Sequence, residues 1–274
     1  MIVPRAAATL MLVRDGAEGL EVLMLRRNLS SQWAGGIHLF PGGAVDKGDS
    51  SRQIFARTLG RSDEEASRLL GVGRDGLAFF VAAIRECFEE AGILLARSKQ
   101  GPPGSERRGR AGALAEGRRR LNAKEVDFAT LVAQAELFLD AGRLCYFSHW
   151  VTPEGSARRY DTRFFVAPAP EGQQALHDDV EVIDSAWIRP SVALARHDAG
   201  EIDLWLPTVK NLEAIGRFEE AGALIEAAAS RQVEVVLPKM VFAEQGVRIL
   251  LPGEEGYDAL PQAPGSPGFP GRSK

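Results

Sequence analysis

Arg85-Glu86-Cys87-Phe88-Glu89-Glu90-Ala91-Gly92-Ile93 is the stretch on which the reading of this chain turns. Glu86, Glu89 and Glu90 stand at i, i+3 and i+4, so a helix projects them from one face, stacked over one another. Leu77, Phe80, Ile84, Cys87, Ala91 and Leu94 recur at steps of three and four and predict such a helix, with an apolar stripe that leaves the glutamates largely to one side. Gly92 predicts its end. Like charges at this spacing repel, more so if the face closes over. A hard divalent cation such as Mg²⁺ turns the repulsion into coordination, since it takes oxygen from one or two carboxylates, waters and substrate phosphates. For the three glutamates alone, a solvated helix face is the simpler account.

Upstream, Phe40-Pro41-Gly42-Gly43 follows a strand-like run and leads into Ala44-Val45-Asp46. Paired glycines let a backbone carbonyl or N–H approach a ligand closely. Together with the helix this resembles the Nudix box, Gly, five residues, Glu, seven residues, Arg-Glu-apolar-x-Glu-Glu-x-Gly-apolar. The second half is complete from Arg85 to Ile93. In the first half Gly43 lies 42 positions before Arg85 where the uninterrupted pattern has 14, so 28 residues are inserted. Asp49 stands at the position of the early Glu.

A second element carries the resemblance further. Leu25-Arg26-Arg27, Gln32, Gly36 and Phe40-Pro41-Gly42-Gly43 are similar to the segment that precedes the box in Nudix enzymes cleaving coenzyme A, with Gln32 in place of the second Arg. The long insertion, Gly36 to Gly43 and Tyr160-Asp161-Thr162-Arg163-Phe164-Phe165 are similar to the branch that includes the peroxisomal acyl-CoA diphosphatase. The resemblance spans roughly residues 4–194.

It implies an α/β fold, a Nudix-type α/β/α sandwich with a mixed sheet, here carrying a helical insertion and a helical C-terminal extension. The implied activity is metal-dependent hydrolysis of a phosphoanhydride in a nucleoside diphosphate linked to another group. Coenzyme A or acyl-CoA is the leading substrate, giving 3′,5′-ADP and a phosphopantetheine product. The alternatives are a Nudix pyrophosphatase acting on ADP-ribose, NADH, nucleotide sugars or dinucleoside polyphosphates, and a non-catalytic Nudix module that senses a nucleotide. The implied metal is Mg²⁺ or Mn²⁺, held by Glu86, Glu89, Glu90 and a carbonyl of Gly42 or Gly43, with Arg85 orienting the carboxylates. Arg26, Arg27, Gly36, Phe40 and Gly43 are the implied substrate-binding set. Glu171, Asp178, Asp179 and Glu181 are candidates for a further acid from a loop opposite the box helix, and Glu181 is the choice among them.

Composition sets the outer limits. A chain of 274 residues, 45% hydrophobic and 26% charged, is long enough for one enlarged globular domain. A net charge of −4 gives no general pull toward nucleic acid, so the expected partner is a small nucleotide-containing substrate met by a local patch or a metal. A homodimer is left open. Cys87 and Cys145 belong to no paired motif and suit a reducing compartment. No apolar run reaches the roughly 20 residues of a membrane span. The final Arg-Ser-Lys differs from the Ser-Lys-Leu peroxisomal address, so a cytoplasmic location is expected.

Along the chain, Ala7 to Val13 and Leu20 to Leu25 predict strands around an Asp15-Gly16 turn. The insertion, about 50–76, is polar and helix-prone, with Ser62-Asp63-Glu64-Glu65 resembling an N-cap and first turn. From Ser98 to about Lys124 the Gly, Pro and Arg content predicts a mobile basic connection, followed by a helix from Asp127 to Asp140. Strands are expected over Leu144–Val151, Thr162–Ala167 and Val182–Ile188, then a helix near Ser191 and two more at Pro207–Ile215 and Phe218–Ser230. His38 reads as structural and Trp33 as a packing residue. His149, His177 and His197 lack metal-ligand spacing. The domain is expected to end near residue 260, with a flexible tail over 261–274.

Overall fold

The structure, a computed structural model, describes residues 2–28, 36–98, 109–176, 182–243 and 246–260. Strand β1 (Arg5–Gly16) turns through Ala17 and Glu18 into β2 (Gly19–Arg27), and the two pair antiparallel only from Val13–Gly16 to Gly19–Val22. Beyond that they splay. Strand β3 (His38–Leu39) pairs with β2 and β4 (Gly42–Ala44) pairs with β1, so the turn between them, Phe40-Pro41, lies in the gap. The Leu10 N–H donates to the Pro41 carbonyl at 2.8 Å and fixes the turn there.

The insertion folds as helix α1 (Arg52–Phe55), strand β5 (Thr58–Leu59) and helix α2 (Asp63–Leu70). Ser62 caps α2, as the sequence predicts, and the structure adds a reciprocal capping box with Glu65. Helix α3 (Leu77–Ala91) follows and ends on Gly92 in the left-handed conformation, φ 69°. Asp63 of the insertion also accepts from the Leu77 N–H at 2.9 Å, placing an anion at the start of α3.

Next come β6 (Ala96–Ser98), α4 (Gly109–Asn122), α5 (Phe128–Gln134) and β7 (Leu137–Asp140). Two expectations are corrected here. The basic stretch contains a 14-residue helix, because Leu121 is buried against the core and Gly117 lets Leu131 of α5 approach closely. The helix expected to reach Asp140 stops at Gln134: Glu136 takes φ 53°, and Leu137 and Leu139 alternate inward as a strand in a small sheet ordered β5-β7-β6.

Strands β8 (Cys145–Val151), β9 (Tyr160–Pro168) and β10 (Val182–Ile188) complete most of the main sheet. Helices α6 (Pro190–Asp198), α7 (Leu206–Ile215) and α8 (Ala221–Ala229) then lead to β11 (Val235–Val236) and to a hairpin of β12 (Lys239–Ala243) and β13 (Gly246–Leu250). The main sheet runs β10-β2-β1-β9-β8-β11 and is mixed: β1 pairs parallel with β9 and β11 parallel with β8.

Alternation along β1 and β2 builds two cores. Ala8, Leu10, Leu12, Leu23 and Leu25 pack with Phe80, Ile84, Cys87 and Phe88 of α3. Met11, Val13, Val22 and Met24 point the other way and pack with Leu212, Ile215 and Leu224 of α7 and α8. The expected α/β/α sandwich with helical insertion and helical extension is the architecture found. Trp33, Gln32 and the 261–274 tail lie outside the described residues.

Candidate active site

Helix α3 presents its last two turns to the glycine turn in the gap between β1 and β2. The Gly42 N–H donates to Glu90 Oε2 at 3.0 Å. A Cβ on Gly43 would collide with the Glu86 carboxylate, so only glycine allows this approach. Glu86 and Glu90, one helical turn apart, thus both reach β4, while Glu89 lies beside them at 26% side-chain exposure.

Arg85 holds the group together. Its side chain is only 8% exposed, and Nε and Nη2 donate to the two oxygens of Asp49 at 2.8 and 2.9 Å. Nη2 also donates to the Ala44 carbonyl at 2.9 Å, and Nη1 to Glu86 Oε1 at 2.8 Å and to Glu89 at 3.4 Å. Asp49, on a one-turn helix after β4, is itself 2% exposed and accepts from the Asp46 N–H at 2.8 Å. The bidentate pair ties the strand side of the insertion to the helix side, so the halves of the motif meet across the added residues.

Burial sets the electrostatics. Removal from water pushes Glu86 up to about 7, with Glu89 and Asp49 adding to the shift and Arg85 opposing it. Glu89 is also raised, first by burial and then by Asp49 and Asp46, again against Arg85. Burial works against the Arg85 charge, but Asp49, Glu86 and Glu89 outweigh it and raise its pKa further. Arg85 thus faces three carboxylates, Asp49, Glu86 and Glu89, with Glu90 one turn along the same helix.

That donor set suits a hard divalent ion: carboxylate oxygens in excess of local positive charge, next to a backbone that approaches without side chains. Among the described residues no three His, Cys, Asp or Glu are pre-arranged as a metal cage. The reason is visible in the hydrogen bonds, since Glu86 and Glu89 are turned to Arg85 and Glu90 to Gly42. A site completed by waters and substrate oxygens needs no closed protein cage.

The expected substrate set is divided by the strand. Arg27 shares the face of Leu23 and Leu25, toward α3, whereas Arg26 shares that of Met24. Arg26 and Gly36 line a cleft of about 300 Å³ on the far face with His38, Asp184, Arg196 and Asp203. Phe40 is 3% exposed in the second core, where it packs and supports the turn. The Nε atoms of Arg26 and Arg27 are buried and have no hydrogen-bond partner among the described residues. Glu181, Asp178 and Asp179 lie outside the described residues, and Glu171 is exposed. The segment that leads to them docks on the end of the helix: the Leu176 N–H donates to the Ala91 carbonyl, and Gln173 bonds both backbone groups of Leu94.

One contact was not visible in the sequence. Arg118 of α4 donates through Nε and Nη2 to the Glu89 carbonyl at 3.0 and 2.8 Å, and through Nη2 to the Glu90 carbonyl at 2.9 Å. Asn122 adds a bond to the Glu89 carbonyl at 3.2 Å. Three adjacent arginines of unknown conformation carry no signal that the first turns inward.

A solved NUDIX hydrolase from Alicyclobacillus acidocaldarius matches 85% of this chain and 100% of its own, with a TM-score of 0.64 and 27% identity. The fold is that of a Nudix hydrolase, a class of enzymes that generally works with divalent metal ions. More narrowly, the model of the NUDT19 Nudix domain matches residues 57–217. Acyl-coenzyme A diphosphatase NUDT19 of Homo sapiens is 30% identical over 88% of this chain and 73% of its own length, and that of Gallus gallus 31% over 89% and 75%. This chain belongs to the NUDT19 family of Nudix domains. Among the described residues no helix is long and apolar enough to cross a membrane.

Proposed function

We propose that the enzyme hydrolyses the diphosphate of coenzyme A or acyl-CoA to 3′,5′-ADP and (acyl-)phosphopantetheine, with Mg²⁺ or Mn²⁺. The observation that carries the hydrolytic site is the meeting of Glu86 and Glu90 with Gly42–Gly43 across the inserted residues. The substrate rests on the acyl-coenzyme A diphosphatases to which the chain is similar over most of its length.

Glu86, Glu89, Glu90 and a carbonyl of the glycine turn would hold the ion. When bound, a divalent metal neutralises charge on the phosphates and lowers the pKa of water. The protein supplies orientation. Arg85 holds both Glu86 and Glu89 through Nη1 and, anchored by Asp49, would stay put when either carboxylate turned to a ligand. Arg27, with a buried unpartnered Nε on the α3 face, is the proposed donor to a substrate phosphate. Glu181 is the proposed further acid. The free cysteines, Cys87 buried and raised in pKa by that burial, accord with residence in the cytoplasm.

Purified protein with Mg²⁺, offered CoA, acyl-CoA, ADP-ribose, NADH, nucleotide sugars and dinucleoside polyphosphates, tests the assignment. CoA or acyl-CoA should turn over fastest, with release of 3′,5′-ADP. A faster substrate elsewhere in the panel would overturn the CoA assignment, and no metal-dependent product from any of them would overturn the hydrolase.

A further inference from the structure

We propose that Arg118 is a positioning residue for the metal-binding acids, acting through the C-terminal carbonyls of the box helix. The proposal rests on the metal site described above, since it concerns how that site is held.

The last turn of any α-helix leaves carbonyls without intrahelical partners, and a cation placed there satisfies them and offsets the negative end of the helix dipole. In α3 two of those carbonyls belong to Glu89 and Glu90, two of the three acids proposed to hold the metal; the Glu90 side chain reaches Gly42 and that of Glu89 is turned to Arg85. Arg118 grips both at 2.8–3.0 Å, and Asn122 shares the first. Gly92, where the helix ends, lets the guanidinium in: a Cβ there would stand 3.1 Å from Arg118 Nη1. A flat fork donating to two successive carbonyls fixes the rotation of the last turn as well as its position, which a point charge would not do.

The neighbours of Arg118 show that this is not general basicity. Arg119 bonds Glu116 on the surface at 2.7 and 2.9 Å, and Arg120 lies 3.9 Å from Glu125. Only Arg118 of the three points to α3, on the side of α4 where Leu121 is buried in the core. Helix α4 thus serves as a strap across the end of the box helix, as Asp63 serves its start. Each end of the helix that carries the acids is held by a side chain from outside the motif.

The experiment measures Mn²⁺ binding to the substrate-free protein by calorimetry, with amide hydrogen exchange of residues 86–92. Variants are Arg118→Ala, Arg118→Lys and Asn122→Ala, with Asp63→Ala as a control that destabilises α3 from its far end and Arg119→Ala as a surface control. Arg118→Ala should weaken Mn²⁺ binding about 10–100-fold, the range for loss of an outer-sphere orienting group, and speed exchange at the end of α3. Arg118→Lys should recover part of the affinity and Asn122→Ala lose less. Asp63→Ala should lower Tm without changing the Kd, and Arg119→Ala should change neither. Wild-type affinity in Arg118→Ala, or equal losses in Arg118→Ala and Asp63→Ala, would overturn the proposal. If Arg118→Ala fails to fold, Arg118→Lys and Asn122→Ala decide it, and wild-type Kd in both would overturn it. Absence of Mn²⁺ binding by the wild type would instead overturn the metal site itself.

Discussion

At the scale of single residues, the Asp49–Arg85 pair and the buried glutamates make different demands. Asp49→Ala leaves the Arg85 charge buried without its main partner, and should cost about 3–5 kcal/mol of stability in chemical denaturation. Glu89→Gln removes charge at the metal and little volume. It should lower kcat by more than about 100-fold, beyond the range for an orienting group alone, with circular dichroism and Tm near wild type. Retained turnover at saturating Mg²⁺ would remove Glu89 from the site. Glu86 gives a pH signature: its folded-state value of about 7 lies above the ordinary 4.5, so the metal-free folded state binds the proton more tightly than the unfolded chain. Its contribution is therefore fully present below pH 4.5 and is lost as pH rises toward 7. In chelator, Tm should fall over that window more steeply in the wild type than in Glu86→Gln; parallel curves would contradict the burial argument. The roles of Arg26 and Arg27 were only half legible. Both had the right chemistry, but strand alternation sends neighbours to opposite faces, Arg27 toward α3 and Arg26 toward the far cleft.

At the scale of elements, the two glycines of β4 separate fold from function. A Cβ on Gly42 would meet the Thr9 Cα and Ala8 carbonyl at 2.8 and 2.7 Å, backbone that cannot yield, whereas the atoms nearest to one on Gly43 are the end of the Glu86 side chain. Gly42→Ala should lower Tm sharply. Gly43→Ala should keep Tm near wild type and lose activity, and the reverse order in a thermal and kinetic comparison would place the turn elsewhere. Helix α3 was readable because its stripe repeats at helical spacing and Gly92 stops it. Helix α4 was not: Gly109, Gly112 and Gly117 each cost up to about 1 kcal/mol in a helix, so local preference argued for a loop. What outweighs it is tertiary, the burial of Leu121 and the Arg118 bonds to α3, and neither partner is near in sequence. The end of α5 was missed because apolar residues continue past Ala135, and only the change of period at Leu137 and Leu139 marks a strand.

At the scale of the whole molecule, the sheet separates two cores that depend on different parts of the chain. The second core closes with α6, α7 and α8, and the Ala221 N–H donates to Asp15 near the end of β1 at 2.7 Å. A chain cut after Arg189 would leave Met11, Val22, Met24, Phe147 and Phe164 uncovered, so it should be insoluble or lack a cooperative unfolding transition. A cooperative transition like that of the full chain would show that the C-terminal helices are ornament. The sandwich itself was legible because strands and box helix carry their own periodicities. The pairing that closes the site was not fully so, since 28 inserted residues separate halves that only folding reunites.

The central claim is that three acids on one helix, set against a glycine turn, hold divalent metal. Anomalous diffraction from a crystal soaked in Mn²⁺ tests it directly. Strong density is predicted between the carboxylates of Glu86, Glu89 and Glu90 and the backbone of Gly42–Gly43, with Glu86 and Glu89 swung from Arg85 toward it. Density confined to other surfaces, or none with the acids still turned to Arg85, would contradict the account.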